Sequence, residues 1–248
     1  MKKILYSVAL AACCMGTMTS CSDFLDASNK SNVTDKQTFA TKDGFNSLVN
    51  DAYQHLQNVY AAPLFTSCFS AGTDMYADAR NKMNEPLNTY ETLTPENTDI
   101  KNLYTYLYAG IRAANSVSYY AQTAQIDDKT KGQLVGEARV LAAYEYYLLV
   151  NNFGGVPIMK DFLTTAGTGY PKSSAEDVYA YIISELEDVI SKNVLQASTA
   201  TKGGGRISQE TAKAILAKTY LSAAWDLNKQ DYFSKAAALA DEVIAGRK

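Results

Sequence analysis

The sequence predicts an all-α protein in which helical hairpins stack side by side into a solenoid, with little or no sheet. Apolar residues recur at three- and four-residue steps in successive segments, which is the spacing of an amphipathic helix. No stretch shows the convincing alternation of period two that a half-buried strand requires. Hydrophobic residues make up 47% of the 248 positions and charged residues 20%, which is typical of a folded protein and argues against intrinsic disorder.

The helix signals follow one another along the chain. The apolar spacing runs through residues 43–60, 97–123, 131–151, 173–190, 208–223 and 233–245. Gly154 and Gly155 are a stop signal after the third helix, since glycine is favoured where a helix ends. Ser173 and Glu176 have the spacing of a capping box at the start of the fourth helix, and Ser208 can cap the fifth. The chain therefore consists of consecutive helices with connections between them.

The last two predicted helices have the pattern of a repeat. The order of large, small and aromatic positions in a tetratricopeptide hairpin is followed by Leu216, Ala217 and Tyr220 and then by Ala236, Ala240 and Val243. The loop between them is several residues longer than in such a hairpin. In these repeats small residues let one helix nest against the next, and stacked neighbours bury a face that none could bury alone. The pattern predicts a tetratricopeptide-like solenoid.

The N-terminus has the pattern of an export signal. Lys2 and Lys3 precede an apolar run at residues 4–15, which is about half the length that a membrane-spanning helix requires. Residues 18–21 read MTSC and resemble the lipobox of bacterial lipoproteins, in which the cysteine becomes the lipidated first residue of the mature protein. We therefore expect Cys21 to carry a lipid. The alternative is a secreted protein with a free cysteine.

These features predict a chain of three parts. Residues 1–20 form a lipoprotein signal peptide, residues 21–42 a lipidated N-terminal extension, and residues 43–248 the helical domain. Cys68 is the other cysteine of the mature chain besides Cys21, so we expect no disulfide. Acidic residues directly after Cys21 resemble the export signal of surface lipoproteins. The expected location is the outer membrane, with the protein anchored by its lipid and facing the cell exterior.

Charge and side-chain chemistry argue against several functional classes. A net charge of −3 provides no basic footprint for nucleic acid, so we expect no nucleic-acid partner. His55 is the one histidine, and the sequence contains no zinc pattern, nucleophile elbow or P-loop, so we expect no catalytic residue, metal or cofactor. Glu185 and Asp188 could act as the acid and base of a glycosidase, but carboxylates on a polar helix face are usually solvated charges. The expectation is a binding protein rather than an enzyme.

A run of residues in the third predicted helix resembles the signature of a known family. Residues 136–157 read GEARVLAAYEYYLLVNNFGGVP and are similar to the signature of the SusD/RagB family. Further matches lie in order along the chain, namely CSDFLD at 21–26, GRI at 205–207, AKAILA at 212–217 and YL at 220–221. Together these motifs are far more specific than any one of them.

The resemblance implies a surface lipoprotein that binds glycans, or sometimes peptides, on a scaffold of tetratricopeptide-like helices. Such proteins hand their ligand to a TonB-dependent outer-membrane transporter of the SusC kind. Family members run to roughly twice this length, so we expect residues 43–248 to be incomplete at the C-terminus, with much of the family's ligand site lying beyond them. Two alternatives stay open: a tetratricopeptide-type adaptor lipoprotein that binds only protein partners, and a truncated fragment without function.

The long connection at residues 67–95 is the predicted ligand-binding surface, because loops longer than about fifteen residues are often functional. A sugar requires planar polar groups for its hydroxyls and an aromatic ring for its apolar face. This connection supplies both, in Asp74, Tyr76, Asp78, Arg80, Asn81 and Tyr90. The alternative is an ordinary loop that lies against the solenoid or against the transporter.

Overall fold

A computed structural model describes residues 35–61, 64–75, 85–165, 167–198 and 205–246. The chain divides into two units, Met1–Asp35 and Lys36–Lys248, and the described residues other than Asp35 belong to the second. These residues form nine helices and no strand. The helices are α1 (Asp35–Ala40), α2 (Lys42–Tyr60), α3 (Leu64–Phe69), α4 (Glu85–Thr89), α5 (Thr98–Tyr120), α6 (Asp128–Phe153), α7 (Ala175–Lys192), α8 (Gln209–Asp226) and α9 (Gln230–Ala245).

The long helices stack in chain order. α5 packs on α6, α6 on α7, α7 on α8 and α8 on α9, while α2 lies against both α5 and α6. Their facing residues form a continuous apolar core that runs from Phe45 in α2 to Ala236 in α9. Packing of each helix chiefly on its neighbours is the arrangement of a helical solenoid. The predicted all-α fold of stacked hairpins is confirmed. The predicted boundary between residues 42 and 43 stays a prediction, with α1 on its N-terminal side.

The start of α7 differs from the predicted one by a single register position. The capping box is formed by Ser174 and Asp177 rather than by Ser173 and Glu176. Ser174 Oγ accepts a hydrogen bond from Asp177 N at 3.1 Å, and Asp177 Oδ2 accepts one from Ser174 N at 3.3 Å. The backbone N–H of Ser173 donates instead to Val156 O at 3.2 Å. Both serines can cap a helix according to the sequence. The hydrogen bond of Ser173 to the preceding connection therefore determines that Ser174 is the N-cap.

A buried carboxylate joins α2, α6 and the residues before α8. Glu137 in α6 has no exposed surface. Its Oε2 lies 2.8 Å from Arg206 Nε and accepts a hydrogen bond from Tyr53 Oη at 2.7 Å, and its Oε1 accepts one from Gln133 Nε2 at 3.0 Å. A buried charge is tolerated only when it is paired and hydrogen-bonded, and these three partners meet that requirement.

The partners of this carboxylate are themselves held in place. Arg206 Nη1 donates to Asn50 Oδ1 at 3.0 Å, and its guanidinium lies 5.2 Å from the centre of the Tyr53 ring. Tyr53 Oη also accepts a hydrogen bond from Ile207 N at 2.8 Å. Burial raises the pKa of Tyr53, so its hydroxyl keeps the proton that it donates. Two stretches that carry the family resemblance, at 136–157 and 205–207, thus meet in one network.

A second buried carboxyl lies where α5 and α6 approach each other. A Cβ atom added to Gly110 would lie 1.7 Å from Glu145 Oε1, so only glycine leaves room for that carboxyl. Neither oxygen of Glu145 has a hydrogen-bond partner among the described residues, and the residue has no exposed surface. Burial without a counter-charge raises the pKa of Glu145 well above its ordinary value of 4.5. The folded protein therefore favours the protonated form.

The packing of α6 gives a first prediction. Leu141 is 2% exposed in the core, so Leu141→Ala should lower the free energy of unfolding by about 2 to 5 kcal/mol through the cavity that it leaves. Leu221 on α8 is 46% exposed, and Leu221→Ala is the matched control, with an expected change of about 0.5 kcal/mol or less. Denaturant melts measure both values. Equal losses for the two variants would contradict the assigned packing of α6.

Glu145 gives a prediction about pH. The unfolded chain releases the Glu145 proton near the ordinary pKa of 4.5, whereas the folded chain holds it to higher pH, so the contribution of this group to stability falls as pH rises above that value. Glu145→Gln removes the proton but keeps the shape. The free energy of unfolding of the variant should equal that of the parent at about pH 4. As the pH rises, it should exceed the parent value by about 1.4 kcal/mol more for each pH unit, up to the pKa of the folded state.

Denaturant melts across the pH range measure this difference. Glu91 has an exposed side chain, so Glu91→Gln is the control and should show no such widening gap. A constant difference between the Glu145→Gln variant and the parent at every pH would contradict the burial of an unpaired carboxyl.

Candidate functional site

A cavity of 460 Å³ lies between α5 and the connection from α6 to α7. This connection spans residues 154–174, of which the structure describes all but Ala166. The cavity is concave and mostly apolar, with a few polar groups, which is the usual character of a small-molecule site. It is lined by Tyr104, Tyr108, Ile111, Arg112, Asn115, Pro157, Met159, Asp161, Leu163, Thr164, Thr165, Gly167 and Tyr170.

Helix α5 forms the inner wall. Tyr104, Tyr108, Arg112 and Asn115 follow one another at steps of four, four and three residues, so helical geometry places them along one face. The neighbouring face of α5 carries the core residues Leu103, Leu107, Ala114 and Val117. The rings of Tyr104 and Tyr108 lie 4.8 Å apart, centre to centre. One amphipathic helix thus presents two aromatic rings, a guanidinium and an amide to the same cavity.

Hydrogen bonds hold the first part of the connection against α5 and α6. Tyr108 Oη donates to Pro157 O at 2.6 Å, and Asn115 Nδ2 donates to Met159 O at 2.8 Å. From α6, Tyr146 Oη accepts a hydrogen bond from Met159 N at 2.6 Å. Burial raises the pKa of Tyr108 and of Tyr146, so both hydroxyls stay protonated. These bonds fix the backbone that forms the floor of the cavity.

The charges at the cavity balance. Arg112 and Asp161 both line it, and neither has an ion pair within 4.0 Å among the described residues. The guanidinium of Arg112 lies 4.9 Å from the centre of the Phe162 ring, which in turn packs on Tyr119 at 5.4 Å. Arg112 is therefore oriented by a ring while its hydrogen-bond donors are not committed to a carboxylate. One cation and one anion give the cavity no net charge.

A smaller cavity of 270 Å³ shares Asn115 with the first and is lined by Arg139, Lys160, Tyr181, Ser184 and Glu185, among others. Here the structure corrects the description of Glu185 and Asp188 as solvated charges. Arg139 donates from Nε to Glu185 Oε2 at 2.7 Å and from Nη1 to Asp188 Oδ2 at 2.6 Å. Hydrogen bonds from Lys192 and Arg139 lower the pKa of Asp188. Glu185 and Asp188 therefore form ion pairs with Arg139 and hold its guanidinium in place.

The predicted ligand-binding connection at 67–95 is not one continuous loop. It contains the end of α3 and all of α4. Asp74 is exposed just after α3, and Tyr90 follows α4 with a φ of 62° and 57% exposure. Tyr90 Oη donates to Gly72 O at 3.3 Å. The structure therefore brings Tyr90 to the segment that carries Asp74, and neither residue lines the 460 Å³ cavity.

Several predicted sites lie outside the described residues. These are the lipidation site Cys21 and the candidate ligand-binding residues Tyr76, Asp78, Arg80 and Asn81. They stay predictions.

No metal site or membrane span is found in the described ranges. The residues there include no group of three or more His, Cys, Asp or Glu side chains placed to hold a metal ion. His55 is partly buried, with Nε2 3.9 Å from Asp51 Oδ2. None of the helices in these ranges has the length and apolar character that a membrane crossing needs.

The 460 Å³ cavity was not among the sites predicted from the sequence. The sequence contains the helical spacing of Tyr104, Tyr108 and Asn115, but the apolar stripe of the predicted helix at 97–123 includes Tyr104. The connection after Gly155 was visible as a long stretch without helical periodicity. Only the tertiary hydrogen bonds to residues 157 and 159 show that the two features face each other.

Comparison with known proteins identifies relatives along most of the chain. The SusD-like family model, described as starch-binding associating with outer membrane, matches residues 23–221. A SusD-like protein from Bacteroides ovatus is 24% identical over 207 residues, covering 82% of this chain and 36% of the relative. The SusD-like protein P38 of Formosa agariphila is 27% identical over 190 residues, covering 75% of this chain and 36% of the relative. The chain thus spans about a third of the length of these relatives.

Solved structures share the fold. A SusD homolog from Bacteroides thetaiotaomicron superposes with a TM-score of 0.70 at 21% identity, over 88% of this chain and 43% of that one. A laminarin-binding SusD-like protein gives 0.69 at 22% identity, over 82% and 43%. Surface glycan-binding protein A from Bacteroides thetaiotaomicron, in complex with laminarihexaose, gives 0.64 at 20% identity, over 82% and 43%. At these identities the likeness establishes a common helical scaffold.

Proposed function

The chain belongs to the SusD-like family, and from that premise we propose that it is a surface lipoprotein that captures an oligosaccharide for uptake. In this proposal the lipid on Cys21 anchors it to the outer membrane, and a SusC-like TonB-dependent transporter receives the ligand. In this proposal the protein is a binding component rather than an enzyme. The family model is described by starch binding and the outer membrane, which supports both the ligand class and the location.

The chemistry of the 460 Å³ cavity carries the proposal. A sugar ring has an apolar face that stacks on an aromatic ring, and hydroxyls around its edge that pair with planar polar groups. The cavity offers Tyr104 and Tyr108 for the first contact and Arg112, Asn115 and Asp161 for the second. Because Arg112 and Asp161 balance each other, a neutral oligosaccharide fits better than a strongly charged one.

Two structural neighbours narrow the choice of probe. One is described as laminarin-binding, and another was solved with laminarihexaose. Laminarihexaose and maltohexaose are therefore the first oligosaccharides to test, the second because the family is described by starch binding.

An adaptor that binds only protein is the second candidate, and one surface favours it. A groove of 460 Å³ between α8 and α9 is almost wholly apolar, and Leu221 and Ile244 at its walls are 46% and 63% exposed. Exposed apolar surface of this kind often marks protein contact. Electrophoresis of soluble protein through a gel that contains glucan separates the two candidates. A glycan-binding protein should be retarded by the glucan, whereas a protein-only adaptor should migrate without retardation.

Titration of soluble protein that starts after Cys21 tests the cavity. The parent should bind laminarihexaose or maltohexaose, and Arg112→Ala should weaken binding about tenfold or more, since hydrogen bonds to a charged group are the stronger ones. Lys101 is exposed on the same helix but does not line the cavity, so Lys101→Ala is the matched control and should bind like the parent. Equal affinities for all three proteins would contradict the assignment of this cavity.

The lipid anchor is tested by fractionation. Cys21→Ala should release the protein from the membrane fraction, because the lipid supplies the attachment. Cys68 is a partly buried free cysteine, and Cys68→Ala should leave the protein with the membrane. Membrane association of the Cys21→Ala variant, without detergent, would show that the lipoprotein assignment is wrong.

A further inference from the structure

The connection between α6 and α7 has a fixed base and a distal part that makes no tertiary hydrogen bond to the residues that the structure describes. At the base, Ser173 N donates to Val156 O at 3.2 Å, and a Cβ atom added to Gly155 would lie 2.2 Å from Ser173 O. The next residues are held by the bonds at Pro157 and Met159 described above. Past Phe162, residues 163–165 and 167–172 make no hydrogen bond to any other described residue.

The turn at residues 167–170 is held by its own contacts. The ring of Tyr170 folds back over Gly167, where an added Cβ atom would lie 2.3 Å from Tyr170 Oη. Gly169 has a φ of 79° and no heavy atom near the position that a Cβ would occupy. A positive φ and open surroundings mean that the backbone at Gly169 can change direction without a clash. No hydrogen bond joins this turn to the rest of the described residues.

The same turn forms the outer wall of the 460 Å³ cavity. Gly167 and Tyr170 line it from one side, and Tyr104 and Tyr108 line it from α5. Tyr170 is 42% exposed, so an aromatic residue of the cavity lining is accessible to water. A ligand that stacks on the rings of Tyr104 and Tyr108 would have a second apolar face turned away from α5, which the Tyr170 ring could cover. The cavity floor at Pro157 and Met159 is fixed by hydrogen bonds, whereas the turn has none to the rest of the described residues and can adapt.

We propose that residues 167–170 are a lid that closes over the bound oligosaccharide, with Tyr170 as the residue that stacks on the sugar face turned away from α5. This inference rests on the proposed function, since it needs a sugar in the cavity. Closure of this kind retains a ligand by slowing its departure, while encounter with the open site is unchanged. Tyr170 then contributes to selectivity, because a sugar without a flat apolar face on that side gains nothing from closure.

Hydrogen exchange of the soluble protein tests the motion. Without ligand, the amides of Thr168, Gly169 and Tyr170 should exchange at nearly unprotected rates, while the hydrogen-bonded amide of Met159 is protected. Saturating laminarihexaose should slow the amides at 168–170 by about tenfold or more. Amides in this turn that are already as protected as that of Met159 without ligand would overturn the lid.

Variants of Tyr170 test its role. Tyr170→Ala should raise the dissociation rate of laminarihexaose about tenfold and leave the association rate within about twofold of the parent. Tyr170→Phe keeps the ring and should restore the parent rate. Lys172 is exposed in the same connection and does not line the cavity, so Lys172→Ala is the control. Because Tyr170 is exposed and makes no hydrogen bond to another described residue, the melting temperature of all three variants should match the parent.

The outcomes separate the lid from the proposed function. Binding of laminarihexaose that is unchanged by Tyr170→Ala would overturn the lid and leave glycan capture intact. A parent protein that binds neither laminarihexaose nor maltohexaose at millimolar concentration would count against the 460 Å³ cavity as the glycan site, and the lid would fall with it.

Discussion

The carboxylate of Glu137 is the constraint on which the rest of the fold depends. This carboxylate is buried away from solvent. Its burial is tolerated because Arg206, Tyr53 and Gln133 pair with it. These partners come from α2, from α6 and from the residues that lead into α8, so the network ties together parts of the chain that are far apart in sequence. α2 and α6 both pack on α5. Fixing the first two therefore also fixes the helix that carries the cavity wall.

A second buried carboxyl on α6, that of Glu145, is accommodated without a charged partner. Glu145 has no partner among the described residues and lies against Gly110, so burial favours its neutral form, whereas Glu137 has a guanidinium and two donors. The contact at Gly110 has a consequence for the site, because this glycine lies between Tyr108 and Arg112 in the sequence. Gly110 lets α5 approach α6 closely. The distance between these two helices in turn sets the distance of Tyr108 and Arg112 from α6 and from the connection 154–174.

Helical periodicity was enough to predict the fold, and the site needed information that periodicity does not contain. The stripe of apolar residues in α5, α6 and α7 identified each helix, and the motif at 136–157 identified the family. The capping serine of α7 depended on a tertiary bond to Val156, which local spacing cannot reveal. The cavity depends on Asn115 meeting Met159. That pairing joins a helix to an irregular connection, and no spacing rule relates the two.

The proposed oligosaccharide site lies between α5 and the connection 154–174. Mapping the backbone amides that shift in NMR spectra during titration with laminarihexaose and with maltohexaose tests this most directly. We expect the shifts to concentrate at residues 104–115 and 157–170. Shifts confined to the groove between α8 and α9, or to the residues around Gly72 and Tyr90, would place the ligand elsewhere and contradict it.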